Sequence, residues 1–429
     1  MNKQVSFIEA FSVWLKIGCL SFGGPAAQIA LMHRIIVNEK RWLDEKQYLN
    51  ALSFCMLLPG PEAMQMATYA GWRLHGVRGG LIAGLLFVMP GAFLVLTLAA
   101  LYAAVGNVDI VNTLFLGIKS AVIVVVIEAL LRVSRRALGD PVQWLVAALS
   151  FIGIFFLDLS FPLIVVAAGL FGFWRAQETS DVTSDELVSL NASMSLLSVK
   201  TVLFWLLIWV APFVLLGIVG NQAFLIEVGA FFSRLAVVTF GGAYAVLAYL
   251  AQDVVTGFAW LSAGEMVDAL GLAETTPGPL ILVTEFVAYL AGFRQGGVAL
   301  GLLAAGMTLW VTFVPCFLWI FVGAPYIDWI GAQPRLRGAL SAITAAVVGV
   351  ILNLSVWFAL HVWFGSVVVK SLGIFKLWVP DWTSIDYRVV LLTGLCSIAL
   401  FIFHWGIIRV LITSALLGYV LTACFDHLY

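Results

Sequence analysis

Apolar runs of about twenty residues recur from one end of the chain to the other, at about 78–105, 110–132, 141–157 and 161–175 in the first half and at 196–219 after it. That length lets a helix cross roughly 30 Å of hydrocarbon. Polar stretches between them are short, and only 175–195, "RAQETSDVTSDELVSLNASMS", is strongly polar for long. Runs such as "AVIVVVIEALL" (121–131) do not alternate, so the pattern predicts helices and not the strands of a transmembrane barrel. Some of the apolar stretches are interrupted. "SFGGPA" (21–26), "LPGPEAMQ" (58–65) and "TTPGPLIL" (275–282) put proline and glycine inside membrane-like sequence, where a broken helix leaves backbone groups needing partners. Each break fits either a re-entrant hairpin, here 5–32 and 44–75, or a full span kinked at proline.

The interruptions recur because the chain is duplicated. Aligning 8–61 with 226–279 gives about 15 identities without a gap, far from what apolar composition alone would match. Glu9 falls on Glu227, Lys16 on Arg234, Ser21 on Thr239 and Phe22-Gly23-Gly24 on Phe240-Gly241-Gly242. Trp42-Leu43 falls on Trp260-Leu261, and Pro59-Gly60-Pro61 on Pro277-Gly278-Pro279. Further on, "FVMPGAFL" (87–94) resembles "TFVPCFL" (312–318). The expected organisation is a first repeat at 1–175, a linker with one extra apolar helix at 176–219, and a second repeat at 220–429. An unpaired helix inverts the second repeat if each repeat crosses an even number of times. The charges agree: "HRIIVNEKR" and "RVSRR" are basic where their counterparts carry no Lys or Arg, whereas "GNVDIVN" is acidic and "AQPRLRG" basic.

Composition fixes the class. With 62% hydrophobic and 10% charged residues among 429, no soluble globular domain fits, and the expected fold is an all-α polytopic membrane protein. The N-terminus has no small-residue cleavage pattern and reads as a first structural helix. A formal charge of −1 gives no reason to expect nucleic acid as a partner. Cys19, Cys55, Cys316, Cys396 and Cys424 are scattered singly and read as core residues, not disulfides or metal ligands. No HExxH, GxSxG or GxxxxGK[ST] motif is present and the five histidines are dispersed, so neither an enzyme, a metal nor a cofactor is expected. Beyond the lipid bilayer the pattern fixes no assembly, a homodimer included.

The breaks carry the candidate chemistry. A half-helix starting within the membrane offers unpaired N–H groups and the positive end of its dipole, both suited to an anion. Gly23, Gly24, Gly60, Gly241, Gly242 and Gly278 allow close backbone approach, and Pro25, Pro59, Pro61, Pro277 and Pro279 suit helix starts. The same residues also serve close packing or kinks. Ser21, Gln65, Thr239, Thr275 and Thr276 offer neutral donors. Lys16 and Arg234 either face the pathway or pair with Glu9 and Glu227, seven residues earlier; Lys119 is a site cation or a snorkelling side chain. Glu62, Glu274 and Glu285 are coupling candidates, with local hydrogen bonding at a helix start as the bland alternative.

Two FGG-P/A motifs, each followed by PGP, with "LAETTPGPLILVTEFVAYLAGF" in the second half, resemble the chromate ion transporter family in its long, two-domain form. The resemblance covers essentially the whole chain and implies a secondary transporter exporting chromate across a bacterial inner membrane. Sulfate, an oxyanion of similar shape, is the alternative substrate, and a passive anion channel the alternative mechanism. One departure stands out: Glu62 follows the first PGP where the second copy has Leu280.

Overall fold

The computed structural model describes residues 5–105, 108–176, 194–220, 222–240, 243–327 and 333–426. Most of the polar linker and the glycine pair Gly241-Gly242 fall outside them. The first half comprises α1 (Phe7–Leu20), α2 (Gly24–His33), α3 (Glu45–Cys55), α4 (Glu62–Val105), α5 (Asp109–Ala137), α6 (Pro141–Phe155) and α7 (Phe161–Arg175). The extra helix is α8 (Met194–Val219). Then follow α9 (Ala223–Val238), α10 (Ala243–Gln252), α11 (Ala263–Thr275), α12 (Val283–Gly323), α13 (Pro334–Trp363), α14 (Tyr387–Ser397) and α15 (Ile407–Asp426). Among the described residues five helices are long and apolar enough to cross a membrane, those within 62–105, 113–137, 199–219, 280–326 and 334–363. The all-helical, two-repeat, multi-pass architecture expected from the sequence is therefore present.

The duplication extends to backbone detail. Asp44 and Gln47 form a capping box at the start of α3, and Ser262 and Glu265 form its counterpart on α11; in each, the cap side chain and the third residue satisfy one another's backbone N–H. Arg34–Glu39 and Asp253–Gly257 are both π-helical turns. Arg41 and Ala259, aligned in sequence, both adopt left-handed φ, of 53° and 51°. The long helices α4 and α12 each reverse once, at His75-Gly76 and Gly296-Gly297. Equivalent sequence thus yields equivalent strain at the same places.

The halves interlock. α1 packs on α4 and, equivalently, α9 on α12, while α4 and α12 pack on each other. α5 of the first half lies against α14 and α15 of the second, and α13 of the second lies against α6 and α7 of the first. Small residues make these crossings close: a side chain at Gly117 would strike the Ser414 backbone, and one at Gly172 the Gly338 carbonyl. The Ser414 hydroxyl donates to the Gly117 carbonyl at 2.7 Å. α8 is the peripheral helix, with Leu207 and Ile218 exposed on its surface as a lipid-facing helix requires. Of the cysteines, Cys55, Cys316 and Cys396 are buried free thiols and Cys19 is an exposed one, a departure from its expected core position.

One element was not expected. Strands β1 (Val367–Leu372) and β2 (Phe375–Pro380) form an antiparallel hairpin between α13 and α14, where the first repeat has only the short turn after α5. It is tied to the first half by Lys376, whose N–H donates to the Phe156 carbonyl at 2.7 Å and whose ammonium meets Asp158 at 2.5 Å.

Candidate functional site

The expected breaks at 21–26, 58–65 and 275–282 all exist. α1 ends at Leu20 and α2 begins at Gly24, with Gly23 in the left-handed region (φ 83°) as its N-cap and a proline in the first turn. α3 ends at Cys55 and α4 begins at Glu62, so Pro59-Gly60-Pro61 is the non-helical joint. In the second half α11 ends at Thr275, Thr276 is extended, and a 3₁₀ turn at Leu280–Leu282 leads into α12. Pro61 and Pro279 thus stand just before their helices and not within the first turn, unlike Pro25.

The breaks are cross-connected between halves. The Gly278 N–H donates to the Ser21 carbonyl, and the Gly60 N–H donates to the Thr239 carbonyl, each at 2.8 Å. Each PGP glycine therefore satisfies the carbonyl that precedes the FGG bend of the other repeat. Both glycines need positive φ, 117° at Gly60 and 89° at Gly278. The long helices complete the crossing: a side chain on Gly91 of α4 would collide with the Pro277 carbonyl, and one on Gly60 would sit 2.9 Å from the Cys316 sulfur of α12. Gly91 and Cys316 are equivalent in the two repeats.

Two residues the motif reading passed over, Gln28 and Tyr244, stand at this junction, and a third, Asp268, pairs with Lys119. Gln28, buried on α2, donates its amide to the Gly278 carbonyl at 2.6 Å and to the Ser21 carbonyl at 3.2 Å. Its signal was a lone amide in an apolar stretch after the bend. The Tyr244 hydroxyl donates to Glu274 at 2.8 Å and lies beside Gly24, 3.9 Å from where a Cβ would stand. Asp268 accepts from Tyr102 at 2.8 Å and meets Lys119 at 3.1 Å. Lys119 therefore has a carboxylate partner on α11, which no spacing along its own helix could reveal.

The neutral donors are largely committed. Ser21 and Thr239 give their hydroxyl hydrogens to the carbonyls of Ile17 and Leu235, one turn back, at 2.6 and 2.5 Å. Thr275 and Thr276 do the same three residues back, to Leu272 and Ala273. Gln65 donates to the Pro59 carbonyl at 2.7 Å, stiffening the first joint, and its carbonyl oxygen is unpartnered. The donors left for a ligand are chiefly backbone N–H groups at the half-helix starts. Lys16 and Arg234 are not brought to the junction: both sit on exposed faces, opposite the buried Val13, Trp14 and Ile17 on α1 and Phe231, Phe232 and Leu235 on α9. The expected partner of Lys16 is also elsewhere, since Glu9 pairs with Lys40 at 2.7 Å. Glu285 on α12 is fully buried with neither carboxyl oxygen partnered.

Comparison with known proteins is decisive at this point, because the family model described as "Chromate transporter" matches residues 8–173 and 226–419, one match on each repeat. The chain belongs to the chromate transporter family. It is 33% identical to a chromate transport protein of Pseudomonas aeruginosa, over 81% of this chain and 80% of that protein. It is 29% identical to a chromate transport protein of Cupriavidus metallidurans, with 79% of each chain covered. The uncharacterized transporter YwrB of Bacillus subtilis is 31% identical over 42% of this chain but 94% of its own length, the size of a single repeat. No solved structure matches.

Within this chromate transporter family member the two junctions are not alike. Glu62 is the first residue of α4, so a carboxyl group stands at the positive end of that helix. Leu280 follows the second PGP instead, and the acidic residue of the first turn of α12, Glu285, stands five residues further on. Glu274 likewise has no acidic twin, Met56 standing in the aligned position.

Proposed function

We propose that the protein is a secondary transporter exporting chromate across the bacterial inner membrane, driven by the membrane potential, the proton gradient or both. The crossed pairs Gly278–Ser21 and Gly60–Thr239 carry this reading. Each joins an interrupted segment of one repeat to the other repeat, the arrangement in which half-helix starts can hold an anion near mid-membrane. The organisation that goes with it is two repeats, 1–175 and 220–429, of opposite orientation, with the linker and α8 (176–219) between them and re-entrant hairpins at the breaks.

Energetics favour the outward direction. One charge crossing 100 mV is worth about 2.3 kcal/mol, so a dianion leaving an inside-negative cell gains about 4.6 kcal/mol. At 1.4 kcal/mol per decade that sustains a gradient of roughly a thousandfold. Uptake would need several coupled cations.

The deciding experiment is chromate tolerance of a sensitive strain with and without expression of the chain, at low and high sulfate. Tolerance should rise on expression; no gain at either sulfate level removes chromate, and loss of the gain in excess sulfate makes sulfate the preferred cargo. Flux in proteoliposomes should saturate and show counterflow, whereas flux without counterflow means a channel.

A further inference from the structure

A cavity of about 1120 Å³ opens beside the first bend. Its walls are the end of α5 and the segment joining α14 to α15, and its floor includes Phe22, Gly23 and Ala26, at the start of α2. Arg132, Arg135, Arg136 and Arg409 line it, with the His404 imidazole and a single carboxylate, Glu128. Arg132 is ion-paired with Glu128, but Arg135, Arg136 and Arg409 form no salt bridge among the described residues. The sequence shows "RVSRR" as a basic loop only; the fold wraps it, with an arginine from the far end of the chain, around a hollow leading to a candidate anion site.

The second repeat supplies an internal comparison. Continuing the register that aligns Pro90 with Pro315 puts Asn353 and Trp357 where Glu128 and Arg132 stand. His404 and Asp158 occupy equivalent loops, both with left-handed φ, 54° and 53°. Asn353, Trp357 and Asp158 line a cavity of their own, but it measures about 190 Å³ and Lys376 and Trp378 of the β-hairpin also line it. Its described lining on α10 is Ala248, Ala251 and Gln252. The same architecture has thus been built once as a wide basic hollow and once as a small one, lined by an aspartate that pairs with Lys376.

We propose that the arginine-lined hollow is a capture vestibule for a tetrahedral oxyanion, which passes from it to the start of α2 at Gly23-Gly24. This rests on the export reading, with the basic loops on the cytoplasmic face. Clustered charge in a cleft with low-dielectric walls concentrates counter-ions and speeds their arrival. Guanidinium forks match the paired oxygens of an oxyanion. At the floor, the backbone N–H groups of the α2 start take over from the side chains. With inverted repeats the smaller cavity lies at the opposite mouth, where Lys376 neutralises Asp158 and no arginine is among the described lining residues to rebind a released anion. Free oxyanion and the phosphate of a lipid headgroup share the recognised chemistry, and the test separates them.

The full chain and an Arg135→Gln/Arg136→Gln/Arg409→Gln variant are reconstituted in phosphatidylcholine vesicles, and in parallel in vesicles containing phosphatidylglycerol. Chromate flux is measured against chromate concentration and ionic strength, and chromate binding to the detergent-purified proteins by equilibrium dialysis. In phosphatidylcholine the variant should raise KM about tenfold or more and flatten the salt dependence, with kcat within about twofold of the parent. The corresponding triple lysine variant, which keeps the charges but not the forks, should keep the parent's salt dependence while KM rises less. An unchanged KM and salt slope in the glutamine variant overturns the vestibule, as does a KM rise confined to phosphatidylglycerol vesicles, which assigns the arginines to headgroups. Should the glutamine variant not fold, an unchanged KM in the lysine variant overturns it equally. If the parent binds chromate but moves none, the transport reading fails, and weaker binding by the variant still supports the vestibule.

Discussion

At the scale of single residues, the junction depends most on Gly60 and Gly278, where a backbone conformation closed to other residues coincides with a hydrogen bond to the other repeat. Gly60→Ala should lower stability by about 1–3 kcal/mol and reduce transport, because the added Cβ would also meet Cys316 and Gln65 at 2.9 Å. Gly306→Ala on α12, where nothing lies within 4 Å, is the control and should gain up to about 1 kcal/mol of helix propensity. Thermal melting of the detergent-purified variants distinguishes them. Glu285 makes a different prediction. A fully buried carboxyl with two unpartnered oxygens is costly to keep and is a functional candidate on that ground. Glu285→Gln should fold normally and lose the part of chromate flux driven by a pH gradient, leaving the part driven by membrane potential. A variant retaining both parts would remove Glu285 from coupling.

At the scale of elements, the starts of α3 and α11 rest on capping, which is local chemistry that the run-and-break pattern did not single out. Asp44 and Ser262 stand three residues before Gln47 and Glu265, and both boxes form. Asp44→Ala should cost about 0.5–2 kcal/mol, seen as faster hydrogen exchange in the first turn of α3, with Ser262→Ala doing the same on α11. The β-hairpin was not read, although "VVVKSLGIFKLWVP" (367–380) carries β-branched residues on both sides of a glycine turn. Apolar enrichment hid it among membrane helices. The Lys376–Asp158 pair that ties it down is half-exposed on both sides, so Lys376→Ala should change stability by less than about 1 kcal/mol.

At the scale of the whole molecule, the two repeats are sequential in the chain but not separate in space. α5 is surrounded by helices of the second half and α13 by helices of the first, and each PGP joint is completed by the other half. Residues 1–193 and 194–429 expressed as separate chains should therefore be unstable alone and co-purify when expressed together. Recovery of either half alone as a monodisperse species would contradict the interlocking.

What the sequence determined by itself is local or periodic: apolar run length, the duplication, and the glycine and proline breaks. Each follows from interactions within a few residues, or from two copies compared side by side. The tertiary structure alone decided which residues meet across halves. It gave Lys119 the carboxylate of Asp268, put Lys16 and Arg234 on outer faces, set Gln28 and Tyr244 into the junction, and turned a basic loop into the wall of a cavity. Those outcomes depend on helix rotation and on packing between segments far apart in the chain, and a helix's charge pattern does not say which neighbour it will face.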